Sequence, residues 1–301
     1  MAHGRHLASP IHWLGGKGKM VTKLLDFFPE HHTYAEPFGG GASMLIAKQP
    51  SPVEVYNDMN SGLVNFFRVL RDPERFERLK FLCDLTPYSR EEYAWCNENW
   101  EKETDDVQRA YMWYIVCRMS FGGKFGAAWG TAVGSSNNGM ASTTASWLST
   151  LNKLPEIHKR LMEVQIENVS YERIFERYDS PKSLFYCDPP YVPETRKAGE
   201  YKHEMTYEDH EKLVNILLNI QGMAVLSGYP SSVYDPLIAA GWETKTFDVV
   251  CSVVGRTARN GLKGTGSAVN SEAQKRTEII YISPSALEVH RESLLVGVEW
   301  S

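Results

Sequence analysis

The apolar run Ser183-Leu184-Phe185-Tyr186-Cys187 stops abruptly at Asp188-Pro189-Pro190-Tyr191. The run reads as a strand. The next four residues cannot continue it as a regular ladder, because proline fixes φ and has no N–H to donate. Pro189 also pushes Asp188 out of the helical region. A strand here must end in a stiff turn carrying a carboxylate. In open α/β sheets, ligands bind beyond the carboxyl ends of strands, so this turn lies where a site belongs.

The flanking sequence alternates in the way such a sheet requires. Residues 34–36 read as a short strand running into Phe38-Gly39-Gly40-Gly41, with a helix over 42–48. Residues 53–56 form a second strand that ends at Asn57-Asp58, and Leu63, Phe66, Phe67 and Leu70 then recur at helical spacing. Strands are also predicted at 164–167, at 223–226 closing on Ser227-Gly228-Tyr229, and at 277–283. Thr206 and Asp209 form a capping-box pattern opening a helix with Leu213, Ile216, Leu217 and Ile220 on its buried stripe. The alternation predicts an α/β fold, a sheet with helices on both faces.

The character changes over 71–160. Asp105-Asp106 cap a helix with Val107, Ala110, Tyr111 and Tyr114 on its apolar face, and a long small-residue stretch runs from Phe121-Gly122-Gly123 to Ser142. A loop of that length is either functional or disordered. We therefore expect a catalytic domain made of 1–70 and 161–301, with 71–160 as an inserted, mainly helical unit.

Composition narrows the function. The net charge of −5 over 301 residues argues against a protein that coats nucleic acid without preference, though not against a local basic cleft. The five cysteines are scattered without a C-x-x-C pair, which predicts reduced core thiols and no metal site. Neither an apolar leader nor a run of about 18 apolar residues occurs, so a cytoplasmic location is expected.

Three motifs carry chemistry, and each has a plainer alternative. In Asp188-Pro189-Pro190-Tyr191, the carboxylate and the Pro189 carbonyl can accept both N–H protons of an exocyclic amine. That favours a pyramidal nitrogen whose lone pair is free to attack, while Tyr191 stacks on the base. Positioning and electrostatics then suffice, with no separate general base before attack. The alternative is a proline-stiffened loop in which Asp188 caps a turn. In Glu36-Pro37-Phe38-Gly39-Gly40-Gly41 the glycines let backbone approach a ligand at a helix start, or simply make a tight turn. The G-x-G-x-x-G spacing is absent. Asp58, at the next strand end, can accept ribose hydroxyls or cap a helix. Trp13-Leu14-Gly15-Gly16-Lys17 could face the carboxylate of an amino-acid-like ligand, and it lacks the spacing of a nucleotide-triphosphate loop.

The order Trp-x-Gly-Gly-Lys, Glu-Pro-Phe-Gly-Gly-Gly, Asp-Pro-Pro-Tyr resembles that of the alpha-type DNA adenine N6-methyltransferases, a family that includes the bacterial GATC methylase and phage relatives. The resemblance runs from about residue 10 to 283. It implies a Rossmann-like methyltransferase mixed sheet, S-adenosyl-L-methionine as methyl donor, and double-stranded DNA as partner. No obligate protein partner is implied, and a cognate restriction endonuclease is a possible functional counterpart. By matched position, Trp13, Gly15, Gly16, Lys17, Glu36, Pro37, Phe38, Gly39, Gly40, Gly41 and Asp58 hold the donor. Asp188, Pro189, Pro190 and Tyr191 form the catalytic motif, Asp188 also bordering the donor. The 71–160 insert falls where the family keeps its target-recognition unit.

Since a base inside a duplex cannot reach such a pocket, the adenine must flip out. Arg256, Arg259 and Lys263 lie in a basic loop over 255–276 suited to clamping phosphates, and Arg196 and Lys197 come just after the catalytic turn. In the insert, Arg118, Lys124, Asn137 and Asn138 are candidate groove contacts, since Arg reads guanine and Asn reads adenine. The same chemistry on cytosine N4 or on RNA adenine is the first rival reading. A catalytically silent binder is the second. One residue departs from the resemblance: Ser170 stands where relatives carry an Asp against the donor's adenine. A serine hydrogen-bonds there without charge assistance. Ser170→Asp is therefore expected to tighten donor binding in calorimetry, and unchanged affinity would refute the assignment.

Overall fold

A computed structural model describes residues 6–13, 17–18, 20–192, 204–250 and 275–295. A short helix α1 (Val21–Leu25) precedes strand β1 (Thr33–Glu36), helix α2 (Ser43–Ala47) and strand β2 (Val53–Asn57). A helical stretch comes next: α3 (Ser61–Arg71), α4 (Pro73–Asp84), α5 (Arg90–Asn99) and α6 (Asp106–Met119). The two-stranded ribbon β3 (Ser136–Asn137) and β4 (Met140–Ala141) leads into α7 (Ser142–Leu151) and α8 (Leu154–Leu161). The second half alternates β5 (Gln165–Glu167), α9 (Tyr171–Tyr178), β6 (Ser183–Cys187), α10 (Tyr207–Leu217), β7 (Met223–Gly228) and α11 (Asp235–Ala239). It closes with β8 (Glu243–Val250), β9 (Lys275–Ile282) and α12 (Pro284–Leu295).

Seven strands form one sheet in the order β5-β2-β1-β6-β7-β9-β8. The pairs among β5, β2, β1, β6 and β7 are parallel, and β9 runs antiparallel between β7 and β8. This is the mixed Rossmann-like sheet expected. Strand β8 was not anticipated; its mixed Thr-Lys-Thr-Phe-Asp pattern lacks the continuous apolar run of the central strands.

Both faces of the sheet are buried, and the strand period sorts the side chains between them. Ala35, Phe185, Cys187, Ala224 and Leu226 join α9, α10 and α11 on one face. Tyr34, Leu184, Tyr186, Met223 and Val225 join the helices α1–α8 on the other. Double burial explains why β6 reads as a continuous apolar run.

Helix α6 is buried along nearly its whole length and lies against α3, in the same continuous core as the sheet. The helices of 71–160 thus share the catalytic core rather than owning one, because the apolar residues of α6 surround the helix instead of forming a stripe. The expected cap at Asp105 is present, its carboxylate accepting from the Val107 and Gln108 amides. The capping box of Thr206 and Asp209 is present too. The four described cysteines are free and buried, while Cys251 lies outside the described residues. Among the described residues no helix is long and apolar enough to cross a membrane.

Gly62 fixes the approach of α3 to α6. A Cβ there would fall 2.6 Å from the Trp113 ring and 2.8 Å from Trp100. Gly62→Ala is expected to destabilise the fold by about 1–3 kcal/mol through overpacking. Calorimetry should show Tm falling by roughly 2–4 °C per kcal/mol. An unchanged Tm would mean the two tryptophans move aside freely.

Candidate active site

The direction of chain progression reverses between β1 and β6, which lie side by side in parallel, Ala35 opposite Phe185. Their carboxyl ends deliver Glu36 and Asp188 into one cavity of about 360 Å³. Trp13, Lys17, Pro37, Phe38, Gly39, Gly40, Gly41, Asp58, Ser170, Pro189, Pro190 and Tyr191 line the same cavity. The residues of the three motifs that are described are therefore brought together at the switch in strand order, where such sheets bind ligands. Gly15 and Gly16 lie outside the described residues.

The glycine loop is held by side chains of its neighbours. The Gly39 amide donates to the Asn57 carbonyl at 2.7 Å, and a Cβ on Gly39 would sit 2.2 Å from the Tyr56 ring. Only glycine allows that approach. The Tyr56 hydroxyl donates to the Gly40 carbonyl. Asp58 accepts from the Gly40 amide at 2.9 Å and from the Asn60 amide at 2.8 Å. It thus ties the glycine loop to the start of α3, where Asn60 is the actual cap. Asn57 bridges the Pro37 and Val169 carbonyls and accepts from the Val169 amide, and Asn168 donates to the Asp58 carbonyl. Ser170 starts α9 without spending its hydroxyl on a cap. The Phe38 and Tyr171 rings meet at 5.1 Å.

Buried charge gathers at the other end. Lys17 lies 2.7 Å from an Asp188 oxygen and 2.8 Å from a Glu278 oxygen. It also donates to the Tyr191 hydroxyl, which in turn donates to Glu278 at 2.8 Å. Ser227 donates to the same Glu278 oxygen at 2.6 Å. The Tyr191 and Tyr229 rings pack at a tilt of 38°, centroids 4.1 Å apart. Burial opposes the charge on Lys17, but Asp188, Tyr186 and Glu278 outweigh it and hold the ammonium above its usual range. Burial pushes Asp188 up to about 6, Lys17 working against that shift and Glu278 with it. Glu36 is pushed up to about 8, chiefly by burial. Its carboxyl oxygen accepts from the Tyr34 hydroxyl and the Leu45 amide.

Residues 13–246 match the D12 class N6 adenine-specific DNA methyltransferases. The chain belongs to that family. Among the relatives of this methyltransferase is a protein named Type II methyltransferase M1.LlaDCHI from Lactococcus lactis subsp. cremoris. It is 27% identical over 73% of this chain and 80% of its own length. The DNA N-6-adenine-methyltransferase of Escherichia phage P1 is 28% identical over 73% of this chain, a match spanning 30% of that longer protein. The DNA adenine methylase of Escherichia coli K12 is 22% identical over 68% of this chain and 74% of its own length.

The candidate DNA contacts of this methyltransferase divide. Arg118 points inward: its guanidinium donates to the Ser146 carbonyl and hydroxyl and to Thr150, pinning α7 to α6. It is 8% exposed, so the groove role expected of it is corrected to a structural one. Lys124, Asn137 and Asn138 are exposed. Asn138 and Gly139 have φ of 50° and 76°, forming the tight turn of the β3-β4 ribbon. Arg196, Lys197, Arg256, Arg259 and Lys263 lie outside the described residues.

Glu278 was not picked out from sequence, and neither were Asn57, Asn60 and Asn168. An acid directly before the apolar run Ile279-Ile280-Tyr281-Ile282 was the available signal for Glu278. The Asp58 geometry makes a local prediction. Asp58→Ala is expected to abolish hydrogen-exchange protection of the Gly40 and Asn60 amides while the Gly39 amide, bonded to Asn57, stays protected. Retained protection at Gly40 would mean that the loop is held by other contacts.

Proposed function

We propose that this methyltransferase takes the methyl group from S-adenosyl-L-methionine and places it on N6 of an adenine flipped out of double-stranded DNA at a specific sequence. The observation that carries this reading is the convergence in one cavity of the glycine loop, Asp58 and Asp188-Pro189-Pro190-Tyr191. The cavity suits a ligand with a charged amino-acid end, a ribose and a flat ring. Phe38, Met44, Met59 and Tyr171 supply apolar wall, and Glu36, Asp58 and Asp188 supply acceptors. Trp13, Lys17 and the glycine loop are the proposed donor-binding residues, with Ser170 beside the adenine and Asp58 at the ribose. S-adenosyl-L-methionine would supply a methyl group already activated on a sulfonium.

The protein's part is to prepare the nucleophile. The Asp188 carboxylate and the Pro189 carbonyl accept hydrogen bonds from the two amine N–H groups, which localises the nitrogen lone pair. Tyr191, backed by Tyr229, offers an aromatic wall for the flipped base. Asp188 is 20% exposed at its side chain, enough to meet a base arriving from the cavity. On the DNA side, Lys124 and the Asn137-Asn138 tip are the proposed groove contacts. The loop carrying Lys124 packs through Gly123 against His12, next to the cavity-lining Trp13. Arg196, Lys197, Arg256, Arg259 and Lys263 are retained as proposed phosphate contacts on charge alone. Action in the cytoplasm, opposite a restriction endonuclease, is part of the same proposal.

The test is methyl transfer from labelled S-adenosyl-L-methionine to unmethylated genomic DNA, read by nucleoside mass spectrometry. N6-methyladenine is the expected product, with kcat reduced at least about 10³-fold in Asp188→Ala. The pH dependence has a definite sign. A protonated Asp188 cannot accept from the amine, so kcat is expected to fall as pH drops through about 6. N4-methylcytosine as the product would move the substrate, and an acid limb near the ordinary aspartate range would contradict the buried setting of Asp188.

A further inference from the structure

We propose that Glu278 is a positioning residue of the transfer reaction: it is the second anchor of Lys17, allowing Lys17 to release Asp188 when the target amine arrives, and it fixes the orientation of Tyr191. The proposal rests on the reading of Asp188 as the amine's acceptor.

The argument begins from a conflict. The amine needs an acceptor on the Asp188 carboxylate, whose Oδ1 already accepts from Lys17 at 2.7 Å, so the two compete for one anion. Lys17 is 5% exposed, so withdrawing it from its counter-ion would strand a buried ammonium, which is strongly unfavourable. Glu278 removes the difficulty. Its Oε1 lies 2.8 Å from the same ammonium, so a small movement exchanges one ion pair for another without exposing the charge.

Glu278 is itself well fixed. Ser227 and Tyr191 both donate to its Oε1, and it is 4% exposed. The Tyr191 bond sets the direction of the ring that packs against Tyr229. The arrangement depends on strand direction. Because β9 is antiparallel to β7, its opening residues, not its closing ones, reach the carboxyl end of the parallel strands. Among the described residues, Lys17, Glu36, Tyr186, Cys187, Tyr191, Tyr234 and Glu278 are the ionisable groups that bear on Asp188.

The test is Glu278→Gln, which keeps an acceptor oxygen but removes the charge. With the charge on Glu278 gone, Lys17 should stay on Asp188. The expected result is a kcat lowered by about 10- to 100-fold, with S-adenosyl-L-methionine affinity by calorimetry unchanged within about threefold. The acid limb should move down by about one pH unit, because a like charge near Asp188 is gone. Glu278→Asp, which restores the charge, should return the limb towards its wild-type position. A merely structural role would lower Tm and active fraction and leave the limb in place, and that outcome overturns the proposal, as does wild-type kcat in Glu278→Gln. If Glu278→Gln does not fold, Ser227→Ala carries the test: it removes one of the donors that fix Glu278 and should lower kcat, and a wild-type kcat in it refutes the positioning role. Asp188→Asn run alongside separates the two readings. Retained turnover in it sinks the acceptor role of Asp188, whereas a dead Asp188→Asn beside an unaltered Glu278→Gln sinks only the role of Glu278.

Discussion

Strands β1 and β6 pair in parallel across the point where the sheet changes its direction of growth, and the geometry of the site descends from that pairing. Parallel strands end at the same edge, so Glu36 and Asp188 reach one cavity although they lie 152 positions apart in the chain. The chain leaving β1 turns towards β2, and the chain leaving β6 turns towards β7. The crevice between these departing connections cannot be filled by either. The glycine loop lines one side of it and the proline-stiffened turn the other.

Placing carboxylates there creates an electrostatic demand. Burial disfavours a charged acid, and it raises both Glu36 and Asp188 above their ordinary range. The molecule meets the demand with one buried lysine shared between Asp188 and Glu278, and with hydroxyl donors from Tyr34, Tyr191 and Ser227. A shared counter-ion differs from a private one, because it leaves Asp188 neutralised but exchangeable. Another buried acid, Glu54, is treated otherwise. Arg160 and Lys48 both bond it, tying α8 and α2 to β2, well suited to holding helices in place.

Much of this was legible from the chain. Turns rich in glycine or proline after short strands located the Glu36 and Asp188 edges, because those residues restrict backbone geometry locally. The helix with Leu63, Phe66, Phe67 and Leu70 was legible because its buried residues recur at the helical period. Arg118 was misjudged because an arginine late in a helix looks the same in sequence whether it faces solvent or, as here, the next helix. The β3-β4 ribbon was passed over despite its Asn138-Gly139 turn, since strands of two exposed residues leave no alternation to read.

The sequence by itself determined the strand ends, the glycine approach and the chemical identity of the catalytic turn, because each depends on a few adjacent residues and on the steric limits of glycine and proline. Only the tertiary structure decided which distant charges share the buried site. Glu278 joins Lys17 and Asp188 because β9 runs against its neighbour, and the helices of 71–160 join the core beneath the sheet because α6 is buried on every side from Ala110 to Met119. Strand direction and the choice of packing partner are properties of the whole sheet, and no local pattern encodes them.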